Sequence, residues 1–176
     1  LGSAFEYDSP DKQELQKNVE GTKEYAVLAH DVGANGIKVR PNSLHVDEGI
    51  EAEVTLRQIG EALRECAEFT KDYGIELRVE THGDGTDRIA NIKKIMDYAD
   101  HEYVTVCWNC NPVDLEDGGL EANFNLVKDK IHFVHMRDLF FDYPFHRGGA
   151  RLQEMGYDDY CCPEIPESTD PIRVMK

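Results

Sequence analysis

The chain is short of positive charge: 19 Lys plus Arg stand against 35 Asp plus Glu in 176 residues, a formal net charge of −16. Nucleic-acid backbones and anionic membranes are held by Lys and Arg, so neither is expected as a partner. Long apolar runs are also missing, and nothing approaches the ~18 uninterrupted apolar residues of a spanning helix. The opening Leu1-Gly2-Ser3 carries no basic or apolar targeting region, so a cytoplasmic chain is expected, a removed signal peptide being compatible with the same start. No low-complexity linker interrupts a composition of 40% hydrophobic and 31% charged residues, which describes one soluble globular domain. A glycine-rich phosphate cradle is lacking too. Gly33-Ala34-Asn35-Gly36 precedes a strand, the reverse of a dinucleotide fingerprint, and reads as a helix cap and turn. The five cysteines, Cys66, Cys107, Cys110, Cys161 and Cys162, are an odd number in a chain too long to need staples. Cys107 and Cys110 form a C-x-x-C that with Cys161 and Cys162 suggests a four-thiolate zinc site. It lies in the apolar run Val104 to Trp108 rather than a turn, so packing is the expected role.

What the sequence does contain is an alternation of β-rich and helical stretches. Strands are expected at Leu1 to Phe5, Ile37 to Pro41, Ile75 to Thr81, Tyr103 to Asn109, Ile131 to Met136 and Tyr160 to Ile165. Helical spacing covers Asp11 to Val32, Ile50 to Tyr73 (through Val54, Leu56, Ile59, Leu63 and Cys66), Thr86 to Ala99 and Leu120 to Val127. Leu152 to Met155 ends another helix, and Asp170 to Met175 resembles the start of one more. Connections of this length exclude hairpins and imply parallel strands with crossover helices.

In such folds ligands bind at the carboxyl ends of strands, and four successive strands end in polar residues. Glu80 and His82 share a face in Arg78-Val79-Glu80-Thr81-His82-Gly83. Cys107-Trp108-Asn109-Cys110-Asn111 follows, then Val134-His135-Met136-Arg137-Asp138, then Cys162-Pro163-Glu164-Ile165-Pro166-Glu167. Two glutamates, an imidazole and an amide converging on one mouth make an oxygen-rich site suited to Mn²⁺, Mg²⁺, Co²⁺ or Zn²⁺. A divalent ion there polarises a carbonyl while one carboxylate removes a proton from the neighbouring carbon and the other returns it.

The segments Glu80-Thr81-His82, Trp108-Asn109-x-Asn111-Pro112, Ile131 to Asp138 and Glu164-Ile165-Pro166-Glu167 resemble the last four strands of the sugar phosphate isomerase/epimerase superfamily, the xylose-isomerase-like TIM barrels. The resemblance covers nearly the whole chain, beginning near the family's third strand. It implies a (β/α)₈ barrel domain over residues 1–176, N-terminally truncated to about six strands, since a complete barrel takes ~250 residues. It also implies that Glu80, His135 and Glu164 ligate the metal, that the two glutamates shuttle the proton, and that His82 and Arg137 contact substrate oxygens. Asn109 stands where the family commonly has an Asp ligand, which lowers the expected metal affinity. The family's histidine just beyond that position is replaced by Asn111-Pro112.

The expected activity is a metal-dependent isomerase or epimerase of a sugar or sugar phosphate. The same chemistry fits an inosose-dehydratase-like lyase, and Asn109 leaves room for a non-catalytic carbohydrate-binding barrel. A nuclease like the family's AP-endonuclease branch fits this acidic chain least. Lys38 and Arg40 alternate towards the mouth, and Lys38 is a candidate substrate contact, as is Trp108 by stacking on a sugar face. Asp114, Glu116 and Asp117 read as a solvated acidic loop. Phe140 to His146 reads as an aromatic loop over the site or an oligomer contact. An open six-strand arc exposes edges, which a homo-oligomer would cover.

Overall fold

A computed structural model describes residues 1–139, 141–165, 169–170 and 172. Strands β1 (Gly2–Glu6), β2 (Gly36–Arg40), β3 (Asn42–Ser43), β4 (Glu76–Glu80), β5 (Gly83–Asp84), β6 (Val104–Trp108), β7 (Ile131–Met136) and β8 (Cys161–Pro163) are connected through five helices. These are α1 (Lys12–Asp31), α2 (Ala52–Thr70), α3 (Ile89–Ala99), α4 (Gly119–Val127) and α5 (Phe145–Glu154). Six strands form one parallel sheet in the order β1-β2-β4-β6-β7-β8. Chain order and sheet order agree, as in an arc of a (β/α)₈ barrel, and the arc contains six of its eight strands.

Strand alternation divides each strand between two environments. Ile37, Val39, Leu77, Val79, Val104, Val106 and Val134 are buried and pack towards the helices. Helix α2 meets them with Leu56, Ile59, Leu63, Cys66 and Ala67, each large side chain contributing about 1.5–3 kcal/mol. Val54, expected on that stripe, is exposed; at 100° per residue it falls on the opposite side of the helix from Leu63. Asp11 caps α1, its carboxylate accepting from the Gln13 backbone N–H at 2.8 Å. Gly60 lets α2 and α3 touch, since a Cβ there would sit 2.3 Å from the Tyr98 Cβ.

The other face is concave and polar. A register shift between Val106↔Ile131 and Cys107↔Phe133 bulges β7 at His132, whose Nδ1 meets Glu76 Oε1 at 2.8 Å. Arg78, buried, pairs with Glu76 at 3.1 Å and lies 5.3 Å over the Phe133 ring. Burial alone would raise the Glu76 pKa, but His132 and Arg78 outweigh it and the net shift is downward. This charged layer forms the floor beneath the candidate site.

Every expected strand and helix is present, with boundaries moved by a few residues. The exceptions are α5, of which only the end was anticipated, and the Asp170 to Met175 helix start, where Pro171, Arg173, Val174 and Met175 lie outside the described residues. The β3–β5 ladder was not anticipated. It ties the loops after β2 and β4, pairing Asn42 with Gly83 and Ser43 with Asp84. Gly83 has φ +104°, and a Cβ there would come within 1.7 Å of the Asn42 carbonyl oxygen. Gly83→Ala is therefore expected to destabilise the fold by about 2–4 kcal/mol, read as a lowered urea midpoint with an unchanged far-UV spectrum.

Candidate metal centre and active site

The upper layer of the concave face gathers the expected residues. Glu80 ends β4, buried to 2% exposure. Its Oε2 accepts from Lys38 Nζ at 2.9 Å, and its Oε1 lies 3.2 Å from His135 Nδ1. His135 Nδ1 is also 3.6 Å from Glu164 Oε2. One ligand atom from each of Glu80, His135 and Glu164 lies within 4.8 Å of the others, and among the described residues this is the one group of His, Cys, Asp and Glu side chains so placed. Three strands separated in sequence therefore bring one donor each to one point.

The electrostatics keep Glu80 ionised. Burial pushes its pKa up, yet hydrogen bonds from His135 and Lys38 and the charge of Lys38 prevail and hold it at about 2. Glu164 is open to solvent, with 56% of its side chain exposed. The pair thus combines a buried carboxylate with an accessible one. Beneath them, Leu1, Gly36, Lys38, Arg78, Phe133, His135 and Cys162 line a hollow of about 260 Å³.

Asn109 follows β6 and, continuing the register Trp108↔Val134, lies opposite His135. It is 3% exposed, its backbone N–H donates to Thr81 Oγ1 at 2.9 Å, and its side-chain Oδ1 is buried with no hydrogen-bond partner. A buried acceptor left unpaired costs about 1–3 kcal/mol. An unpartnered buried oxygen at the strand end neighbouring that of His135 is the type of donor a divalent cation takes. His82 Nδ1 and Arg137 Nε are likewise buried without partners. Arg137 Nη2 donates to Asn111 Oδ1 at 2.8 Å, and the guanidinium lies 5.9 Å from the Phe141 ring centroid.

Other expectations are corrected. Trp108 does not line the mouth: it occupies the opposite face of β6 from Cys107 and Asn109, is 4% exposed, packs on Phe124 and donates from Nε1 to Tyr143 OH at 3.2 Å. Lys38 does reach the mouth, where its ammonium is paired with Glu80. Asp114 is not solvated. It is fully buried, accepting from Tyr143 OH and from the Asn111 N–H, each at 2.9 Å. Tyr143 is accordingly a core residue, and Phe140 of its aromatic segment lies outside the described residues, as do Pro166 and Glu167. Cys107, Cys110, Cys161 and Cys162 form no four-thiolate cluster: Cys107 and Cys110 are buried free thiols, Cys161 is exposed and Cys162 half-buried; Cys66 is also a buried free thiol, pushed up to about 12 by burial.

Burial raises the Asp114 carboxyl to about 7, against the opposing hydrogen bonds of Tyr143 and the Asn111 N–H. The folded protein then retains a proton between about pH 4 and 7 that the unfolded chain releases, so this group removes stability as pH rises through that window. Asp114→Asn is expected to flatten that fall, so that its urea midpoint relative to wild type improves between about pH 5 and pH 8.

A parallel strand–helix arc with two glutamates and a histidine converging at the carboxyl ends of its strands defines a partial barrel scaffold with a candidate divalent-cation centre. The chain belongs to the xylose isomerase-like TIM barrel family, whose profile it matches over residues 1–176. An inosose dehydratase of Bacillus velezensis is 26% identical over 83 residues, 47% of this chain and 28% of that protein. The structure of an Escherichia coli 3-keto-D-glucoside 4-epimerase superposes with a TM-score of 0.82 at 13% identity, covering 98% of this chain and 74% of that one. The IolI protein with a bound zinc atom superposes with a TM-score of 0.77 at 14% identity, covering 93% and 66%. At these identities the structural likeness shows the fold. The match spans less than a third of the curated relative. No helix among the described residues is long and apolar enough to cross a membrane.

Proposed function

We propose that Glu80, Asn109, His135 and Glu164 hold a divalent cation, and that the protein is an isomerase or epimerase of a small polyhydroxylated carbonyl compound, a sugar or sugar phosphate. The observation that carries this reading is the convergence of the Glu80, His135 and Glu164 ligand atoms within 4.8 Å. When bound, the ion polarises the substrate carbonyl and acidifies the adjoining C–H. The protein's own groups do the rest. A carboxylate takes the proton from carbon, and the second, protonated carboxyl returns one to the other face or the neighbouring carbon. Glu80, ionised beside the Lys38 ammonium, enters the cycle as the base; Glu164, open to solvent, is the second carboxyl of the pair. Lys38 balances the charge of Glu80. Arg137 and His82, with unpartnered buried nitrogens, orient substrate oxygens.

A second reading, a lyase, is favoured by the inosose dehydratase relative. It shares the proton abstraction and then expels a neighbouring hydroxyl as water. Incubating the Mn²⁺-loaded protein with a panel of ketohexoses and inososes in deuterated water separates the two. An isomerase or epimerase builds deuterium into carbon beside the carbonyl without loss of mass, whereas a lyase yields a product one water lighter. Absence of both outcomes across the panel, with the metal bound, counts against either enzyme and favours a carbohydrate-binding role.

A further inference from the structure

Behind Arg137 stands a line of buried hydrogen bonds that neither metal ligation nor proton transfer requires. Asn111 is 6% exposed, and its Oδ1, Nδ2 and backbone N–H are each hydrogen-bonded. Its Oδ1 accepts from Arg137 Nη2 at 2.8 Å, its Nδ2 donates to the Thr81 carbonyl at 2.6 Å, and its backbone N–H donates to Asp114 Oδ2 at 2.9 Å. The same Asp114 oxygen accepts from Tyr143 OH at 2.9 Å, and Tyr143 OH accepts from Trp108 Nε1 at 3.2 Å. Thr81 completes the assembly, its Oγ1 accepting from the Asn109 N–H at 2.9 Å. With Nδ2 committed to a carbonyl, the Asn111 amide has one orientation, oxygen towards the guanidinium.

This arrangement is expensive. Cys110, just before Asn111, sits at φ +37°, a left-handed conformation unfavourable for a non-glycine residue. Asp114 is buried with one oxygen, Oδ1, unpartnered, and well-packed apolar side chains commonly fill such a volume at no loss of stability. Polar wiring supplies something apolar packing does not: a guanidinium with a fixed place. Free on its stem, an arginine carries rotamer entropy that binding would have to remove.

We infer that Asn111, locked by Thr81 and Asp114 and backed by Tyr143, is the positioning residue for Arg137. The inference rests on the reading of Arg137 as a substrate contact. It assigns to the stretch after β6 a second duty beside presenting Asn109: it fixes the substrate-orienting arginine just beyond β7 from a different strand end.

The test uses NMR of arginine side-chain N–H groups in the Zn²⁺-loaded protein, with the Arg137 resonances assigned by their loss in Arg137→Lys. Wild type is expected to show slowly rotating, separately resolved Arg137 Nη groups, which Asn111→Ala collapses into a fast-rotating average. Tyr143→Phe, which deletes a single hydroxyl, serves if Asn111→Ala does not fold, and is expected to broaden the same signals. Unchanged Arg137 signals in the folded Asn111→Ala, or in Tyr143→Phe where that variant stands in, overturn the inference. On whichever ketose or inosose exchanges deuterium, Asn111→Ala is expected to raise KM about tenfold to a hundredfold, the range of a charge-assisted hydrogen bond, with kcat changed far less. Asn111→Ala added to Arg137→Ala is expected to cost nothing more, and additive effects on KM contradict the coupling. If no sugar reacts, the functional reading of the site fails while the NMR comparison still decides the positioning.

Discussion

Glu80→Gln and Glu164→Gln are each expected to slow deuterium exchange into substrate carbon by about a hundredfold to ten-thousandfold, the range supplied by a positioned general acid or base. The substitution keeps each side chain's shape and removes its capacity to take a proton. The two variants should differ in a second property. Glu80 is buried and receives Lys38 and His135, so Glu80→Gln leaves an ammonium without its counter-charge, and breaking a buried pair in this way costs about 3–5 kcal/mol. Glu164 is exposed, and its replacement should leave stability nearly unchanged. Acid acts on the first of these as the substitution does. With a folded pKa of about 2 and an ordinary value near 4.5, the Glu80 contribution is fully present above the unfolded value and is lost as pH falls towards the folded one. Equal stability losses in the two variants, or full exchange in either, contradict this division of labour.

Mn²⁺ at about a hundred times its dissociation constant is expected to stabilise the folded chain by about 2.7 kcal/mol, which for a chain of this size is a rise in Tm of about 5–10 °C. His135→Ala should abolish most of that rise, because its imidazole is the one nitrogen donor of the cluster and lies within 3.6 Å of both glutamates. Asn109→Ala should reduce it less. The amide supplies an oxygen without charge, and its Oδ1 has no partner to lose in the metal-free protein. Differential scanning fluorimetry with and without the ion reads both effects. A metal-induced shift that survives His135→Ala intact would place the ion elsewhere.

Much of the fold was legible because parallel strands packed between helices and a polar concave face leave a plain mark: Ile37/Val39, Leu77/Val79 and Val104/Val106 alternate with Lys38, Arg78 and Thr105. Glu80, His135 and Glu164 were legible for the same reason, each being an inward position at a strand's carboxyl end. Trp108 was misread by one step of that alternation. Neighbours on a strand face opposite ways, so the indole beside inward-facing Asn109 belongs to the helix side. Asp114 and Tyr143 were missed because each explains the other across 29 residues. An acid in a Gly- and Asp-rich loop looks solvated until its buried phenol partner is known. The signal present for Asn111 was its place two residues beyond Asn109, on a turn rather than a strand, where periodicity no longer assigns a face. Helix α5 was seen only at its end because Gly148 and Gly149 weaken its beginning. The β3–β5 ladder, two residues on each side, is too short to mark the sequence.

The proposed function requires that the carboxyl ends of strands β4, β7 and β8 bring Glu80, His135 and Glu164 to one divalent ion. Anomalous scattering from a crystal grown with Mn²⁺ tests it most directly. A single strong peak is expected, bounded by Glu80, His135 and Glu164 on the side of the unpartnered Asn109 Oδ1, and it is expected to disappear in crystals of Glu80→Gln. A structure determined at saturating Mn²⁺ with Lys38 still paired to Glu80 and no peak among the three side chains would contradict it.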